Sequence, residues 1–147
     1  AAPAKVPDRI SALTVALGKF LSRVAPKAGL LPLDTSHLSR DQSVVEAYRS
    51  DPLVFHGKTP ARLSAEMLRA MIRVSNEVSK ISLPLLIIQG SEDKLIDPGG
   101  SQMLYERTSS ADKTIKFYEG LFHEVHNEPE RDEMFKDLEE WLQSRLN

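Results

Sequence analysis

The sequence predicts an α/β fold built on a parallel sheet, and three observations carry that expectation. The run Leu85-Leu86-Ile87-Ile88 is apolar without alternation, the pattern of a strand buried on both faces. A second strand-like run, Thr114-Ile115-Lys116-Phe117-Tyr118, follows it after a helical stretch. A crossover of that length suits a right-handed parallel βαβ unit, which brings the ends of both strands to one edge of the sheet. Finally, Asp93 and His123 each follow the end of one of these runs, so both are expected at the edge where open α/β sheets bind their ligands.

The first half of the chain reads as helix and loop. From about residue 8 to residue 25, Ile10, Leu13, Leu17, Phe20, Leu21 and Val24 recur at helical spacing, with Asp8 placed to cap the start and Pro26 to end the helix. The stretch Gly29-Leu30-Leu31-Pro32-Leu33-Asp34 is apolar but broken by Gly and Pro, and is expected to be an ordered loop whose leucines need a partner surface. A short helix is expected over residues 41–48, broken at Asp51-Pro52 because the residue before proline avoids helical geometry. A longer one runs from Pro60 to about Ser79 and carries Leu63, Met67, Leu68, Met71, Ile72 and Val78. That stripe fits either ordinary packing or an acyl pocket.

The second half begins with the βαβ pattern, its crossover helix spanning about residues 99–108. A final helix over residues 130–146 places Met134, Phe135, Leu138, Trp141 and Leu142 on one apolar face that should cover the sheet. Two strands cannot supply a setting buried on both faces. The chain is therefore expected to be the C-terminal part of a larger fold, with its parallel sheet incomplete.

Composition narrows the function classes. The 147 residues are 41% hydrophobic, enough for a real core. Nineteen basic against 21 acidic residues give a net charge of −2, which offers no footprint for nucleic acid and no polybasic membrane anchor. There is no Cys, hence no disulfide framework and no thiolate nucleophile, which fits a reducing compartment. No apolar run approaches the roughly 18 residues of a membrane span, and the opening Ala1-Ala2-Pro3-Ala4-Lys5 does not read as a signal peptide. A soluble, cytoplasmic protein is expected.

A carboxylate and an imidazole at one sheet edge suit hydrolytic chemistry, in which the acid orients the base and the base activates a nucleophile. Asp97 is the rival acid, but it precedes Pro98 at a helix start, where an Asp caps exposed N–H groups. His126 is the rival base and is expected to support the loop instead. A metal reading of His123-Glu124-Val125-His126 with Glu128 fails on spacing, because the helical zinc motif needs histidines four apart.

Two segments carry a family resemblance. Pro84-Leu85-Leu86-Ile87-Ile88-Gln89-Gly90-Ser91-Glu92-Asp93-Lys94-Leu95-Ile96-Asp97 resembles the acid-bearing strand and loop of the α/β-hydrolase superfamily. Within that superfamily it is similar to the monoacylglycerol lipase and lysophospholipase group, the serine aminopeptidase S33-type hydrolases. Ala111-Asp112-Lys113-Thr114-Ile115-Lys116-Phe117-Tyr118-Glu119-Gly120-Leu121-Phe122-His123-Glu124 resembles the same group's last strand and histidine loop. Leu33-Asp34-Thr35-Ser36-His37-Leu38-Ser39-Arg40 and Tyr48-Arg49-Ser50-Asp51-Pro52-Leu53-Val54 are similar to its lid, or cap. Ala1-Ala2-Pro3-Ala4 is similar to the end of the strand before that cap.

The resemblance implies a helical cap over residues 1–80 and a C-terminal βαβα part of an α/β-hydrolase core over residues 81–147. It implies a carboxylic ester hydrolase acting on monoacylglycerols or lysophospholipids, with Asp93 as acid, His123 as base, and no cofactor or metal. Leu30, Leu31 and Leu33 would then form a lipid-facing mouth, with transient membrane-surface contact through the cap. One departure is large. The family's nucleophile lies in G-x-S-x-G, and none of the glycines at 18, 29, 57, 90, 99, 100 and 120 frames a serine that way. Ser91 lacks the closing glycine. The nucleophile and the oxyanion-hole donors are therefore expected on a partner N-terminal segment, and this chain alone should be inactive. A non-catalytic scaffold or interaction module that keeps these residues as relics stands as the alternative.

Overall fold

The computed structural model describes residues 12–146. The expected Asp8 cap, Ile10 and the segment Ala1-Ala2-Pro3-Ala4 lie outside the described residues.

Helix α1 (Ala12–Val24) stops just before Pro26, its last turn closed by the Ala25 N–H bonding the Leu21 carbonyl at 2.9 Å. It lies against α3 (Ala61–Glu77), and the side chains buried on the two helices are small: Ser22 on α1, Ala61 and Ala65 on α3. The expected stripe on α3 is accordingly not buried, with Leu63 and Met67 each 51% exposed beside exposed Leu17, Phe20 and Val24 of α1. The helix also ends earlier than expected, and buried Val78 belongs to the 3-10 turn Val78–Lys80 that follows.

The first half is not all helix and loop. Gly29–Leu31 forms a short strand, β1, paired antiparallel with β2 (Thr59–Pro60). The expectation of a loop weighed Gly and Pro as breakers, but at a two-stranded edge both are tolerated. Proline needs no ladder bond there, and a Cβ on Gly29 would fall 2.6 Å from the Lys58 Cβ. The Ala61 N–H bonds the Ala28 carbonyl at 2.8 Å and extends the pairing into α3. Between the strands, α2 (Gln42–Ser50) is capped by Asp41, whose carboxylate accepts the Ser43 N–H at 2.9 Å, and stops at Asp51 before Pro52.

The second half follows the expected order. Strands β3 (Leu85–Gly90) and β4 (Lys113–Tyr118) pair in parallel from Leu85 opposite Lys113 to Gly90 opposite Tyr118. They are linked through α4 (Pro98–Arg107), which Asp97 caps by accepting the Gly99 N–H at 2.8 Å, as expected of that residue. On β3, Ile87 and Gln89 are buried, whereas Leu86 and Ile88 on the opposite face are only half-buried. Among the described residues the run expected to be covered on both faces is thus buried on one and half-buried on the other. Among the described residues no other strand pairs with the free edge of β3.

The core cluster joins Tyr118, Leu121, Val125 and Met134, with Ile88 and Leu138 packed against it. The last helix, α5 (Arg131–Leu146), supplies Met134 and Leu138 to it. Its apolar face covers the sheet only in part, because Phe135 and Leu142 remain exposed. The helix is also tied to β4 by polar contacts: Lys116 pairs with Asp137, and the Tyr118 hydroxyl donates to Asp137 Oδ2 at 2.5 Å. Burial, and then that bond, push the Tyr118 phenol pKa up. Among the described residues no helix is long and apolar enough to cross a membrane.

Candidate active site

The parallel register brings Gly90 and Tyr118 level, so the turns that leave β3 and β4 run side by side. They are stitched together by backbone: the Ser91 N–H bonds the Tyr118 carbonyl at 2.9 Å and the Glu92 N–H bonds the Leu121 carbonyl at 3.0 Å. Ser91 Oγ accepts the Gly120 N–H at 2.8 Å, a joint between the two turns. Gly120 has φ of 73°, a left-handed conformation that glycine adopts without strain.

Gly90 is required for a different reason, since a Cβ there would fall 2.1 Å from the Phe122 carbonyl oxygen and 2.3 Å from that of Leu121. Both are backbone atoms and cannot swing aside. Gly90→Ala is therefore expected to displace the histidine turn and to cost about 2–3 kcal/mol, read as a lower midpoint in thermal unfolding.

Asp93 follows in a turn whose own N–H groups point at its carboxylate. Oδ1 accepts from Leu95 at 2.8 Å and from Ile96 at 2.9 Å. Oδ2 accepts from Gln89 Nε2 at 2.6 Å and faces His123 Nδ1 at 2.9 Å. The carboxylate is fully buried, while the His123 side chain is 27% exposed. Burial alone would raise the Asp93 pKa, but the bonds from His123, Ile96 and Leu95 outweigh it and hold the carboxyl below its ordinary value.

A lowered carboxyl pKa has a definite sign in stability. The stabilisation is fully present above the unfolded value of about 3.9 and is lost as pH falls through the lower folded value. The stability difference between the wild-type chain and Asp93→Asn is therefore expected to shrink progressively as pH falls below about 4. Denaturant unfolding across that range checks it, and a difference that grew on acidification would refute it.

An ionised carboxylate on Nδ1 fixes that nitrogen as the donor and leaves Nε2 with its lone pair. Among the described residues Nε2 has no hydrogen-bond partner. The His123 residue lines an open, largely apolar cleft of about 690 Å³, bounded by Ile88 on the sheet, Ile96 after Asp93, Met134, Phe135 and Leu138 on α5, and Glu124 and His126 of its own turn. A base with a free lone pair can take a proton from a hydroxyl delivered to it.

The histidine turn is held from the other half of the chain. The His123 N–H bonds the His37 carbonyl at 3.4 Å, the Glu124 N–H bonds the Leu38 carbonyl at 2.8 Å, and the His37 ring stands edge-on to Phe122. Glu128 is the anchor. Its carboxylate is fully buried and accepts the Phe122 N–H at 2.8 Å, the Arg40 N–H at 3.2 Å and Arg40 Nε at 3.0 Å. Ser39 Oγ donates to the Asn127 carbonyl at 3.0 Å.

The two strand-end residues are thus brought together, and the remaining assignments separate. Asp97 faces its own helix. His126, expected to support the loop, is exposed and makes no hydrogen bond among the described residues, so that support comes from Glu128 instead. Of the mouth leucines, Leu30 is half-buried in β1 and Leu33 is exposed. The Leu31 side chain lies outside the described residues, and neither Leu30 nor Leu33 lines the His123 cleft; Leu33 lines a second one of about 330 Å³ with Tyr48, Arg49 and Phe55. Sequence reasoning missed Gln89, Ser101 and Glu128. The available signal for Gln89 was a single polar residue closing an otherwise apolar strand.

Comparison with known proteins places the chain in a family. Residues 1–130 match the family described as serine aminopeptidase, S33. The chain is 38% identical to the monoacylglycerol lipase of Mycolicibacterium smegmatis over 139 residues, covering 95% of this chain and 50% of that protein. It is 36% identical to the monoglyceride lipase of Homo sapiens over 141 residues, covering 95% of this chain and 46% of that protein. The crystal structure of the Paleococcus ferrophilus monoacylglycerol lipase matches with a TM-score of 0.84 at 35% identity, covering 97% of this chain and 56% of that one. The chain spans about half the length of the curated relatives it matches.

Proposed function

The chain belongs to the serine aminopeptidase S33 family of α/β-hydrolases, and from that premise we propose that it carries the acid and the base of a serine-type carboxylic ester hydrolase. Asp93 is the acid and His123 the base. The nucleophile is a serine of a G-x-S-x-G elbow on a segment outside these 147 residues, seated against the free edge of β3 so that its hydroxyl meets His123 Nε2.

The mechanism is acyl transfer. His123 takes the serine proton as the hydroxyl attacks the ester carbonyl, then returns it to the leaving alcohol; water repeats the sequence on the acyl-enzyme. Asp93 holds the ring in the tautomer that leaves Nε2 basic and stabilises the imidazolium as it forms. The reaction needs no metal or cofactor. One observation carries the reading: the 2.9 Å contact between a buried carboxylate and Nδ1 of His123, a residue that also lines an open cleft.

The substrate class is a lipid ester with a small polar head, a monoacylglycerol or a lysophospholipid. The relatives' names support the first, and the largely apolar lining of the cleft supports an acyl chain. Residues 1–80 act as the cap and residues 81–147 as the core part. Leu30, Leu31 and Leu33 form its lipid-facing mouth, and the enzyme works in the cytoplasm with transient contact of that mouth at a membrane surface. The test is fatty-acid release from dispersed monoacylglycerol and lysophospholipid. The full-length protein is expected to release it from one or both, and residues 1–147 alone to release none. Turnover by the isolated chain would overturn the assignment of the nucleophile.

A further inference from the structure

Gln89 and Ser101 are buried polar side chains that the acid–base mechanism does not use. Gln89 is 1% exposed and Ser101 0% exposed. A buried amide is costly unless its groups are paired, and these are paired in one direction. Ser101 Oγ donates to Gln89 Oε1 at 2.8 Å, and Gln89 Nε2 donates to Asp93 Oδ2 at 2.6 Å, the same oxygen that receives His123 Nδ1.

The direction is enforced at both ends. An ionised carboxylate only accepts, so the amide must turn its NH2 toward Asp93, because the reverse orientation would set a carbonyl oxygen against a negative charge. Ser101 reinforces this by giving its hydroxyl proton to the amide oxygen. It sits in the first turn of α4, just past the Asp97 cap, so the helix start fixes the amide.

We propose that Gln89 is a positioning residue for the acid–base pair, with Ser101 locking its amide so that Asp93 Oδ2 is held toward His123 by a fixed donor. This rests on the assignment of Asp93 and His123 made above. Leu95 and Ile96 immobilise Oδ1, and without Gln89 the oxygen that serves the imidazole would have no second anchor. Gln89 also shares the charge of Oδ2, which limits how strongly Asp93 stabilises protonated His123. The groups facing Asp93 are His123 from the histidine turn, Gln89 from β3 and the N–H groups of its own turn; His123 is the titratable one among them.

The experiment is the pH profile of ester hydrolysis by the full-length enzyme carrying Gln89→Glu. The replacement is isosteric. While neutral, the new carboxyl donates its O–H to Asp93 and still accepts from Ser101. Once ionised, it places a second negative charge beside Asp93, and two carboxylates sharing a site do not ionise together easily. The expected result is kcat near that of the wild type on the acidic side and a new falling alkaline limb absent from the wild type, with KM little changed.

Ser101→Ala provides a second reading should that variant fold poorly. Without the Ser101 hydroxyl the amide still points its NH2 at Asp93 but is held less firmly, so kcat is expected to fall roughly tenfold at constant KM, and the acidic limb to move to higher pH because a less firmly shared Oδ2 stabilises protonated His123 more. Wild-type profiles in both variants, or a uniform drop without change of shape, would overturn the role of Gln89. If His123→Ala and Asp93→Asn still abolish turnover in that case, only this inference fails. If those two retain activity, the acid–base assignment fails first.

Discussion

In the full-length enzyme, His123→Ala is expected to lower kcat on the order of 10⁴-fold or more, because it removes the base assigned to take the serine proton. Asp93→Asn should lower it by about the same factor while leaving the fold intact at neutral pH. The reason lies in the donors around the carboxylate. Leu95 and Ile96 occupy Oδ1, and Gln89 and His123 occupy Oδ2. An asparagine has one acceptor oxygen for these two sides. With the oxygen kept toward the turn, its NH2 faces His123 and donates to Nδ1, which moves the ring proton to Nε2 and removes the base. KM should change little in both variants, since neither side chain is assigned to hold substrate. Steady-state kinetics on one soluble ester check both values, and unchanged turnover in the pair would remove Asp93 and His123 from the mechanism.

The second large effect is on stability. Arg40→Met keeps most of the side-chain volume but leaves Glu128, fully buried, without its cation. Stranding a buried charge costs more than the pair contributed, on the order of 3 kcal/mol or more. For a chain of this size that lowers the unfolding midpoint by about 6–12 °C. Because Glu128 also accepts the Phe122 N–H beside His123, activity should fall at temperatures below the new midpoint too. Replacing both residues, Arg40→Met with Glu128→Gln, should recover part of the stability, since the neutral amide keeps an acceptor for Phe122. A single variant as stable as the wild type would show that water reaches the Glu128 carboxylate and that the pair does not anchor the histidine turn.

These two effects differ in how far they could be read from the sequence. Asp93 and His123 were legible because each follows the end of an apolar run, and a parallel βαβ unit places such positions together whatever the intervening helix does. Asp97 was legible as a cap because an Asp before a proline at a helix start is a local signal. Glu128 was not, because its partner Arg40 lies 88 positions away and no period or motif connects them. Gln89 showed only as one polar residue at a strand end, and its meaning depends on Ser101, a turn of helix further along the fold. The β1–β2 pair was missed because Gly29 and Pro32 outweighed a contact that only tertiary structure reveals, and because Pro60 was read as a helix start. The apolar faces of α3 and α5 were identified by their spacing, but spacing does not tell what covers them. Leu63, Met67, Phe135 and Leu142 are exposed among the described residues.

The central claim is that Asp93 and His123 act on a serine that this chain does not contain. A fluorophosphonate probe that reacts covalently with activated serines, applied to the full-length protein and followed by peptide mapping, tests it most directly. The label is expected on a serine within G-x-S-x-G outside residues 1–147, and it should disappear in His123→Ala. Labelling of Ser91 or of any other serine within these 147 residues, or labelling undiminished by the loss of His123, would contradict it.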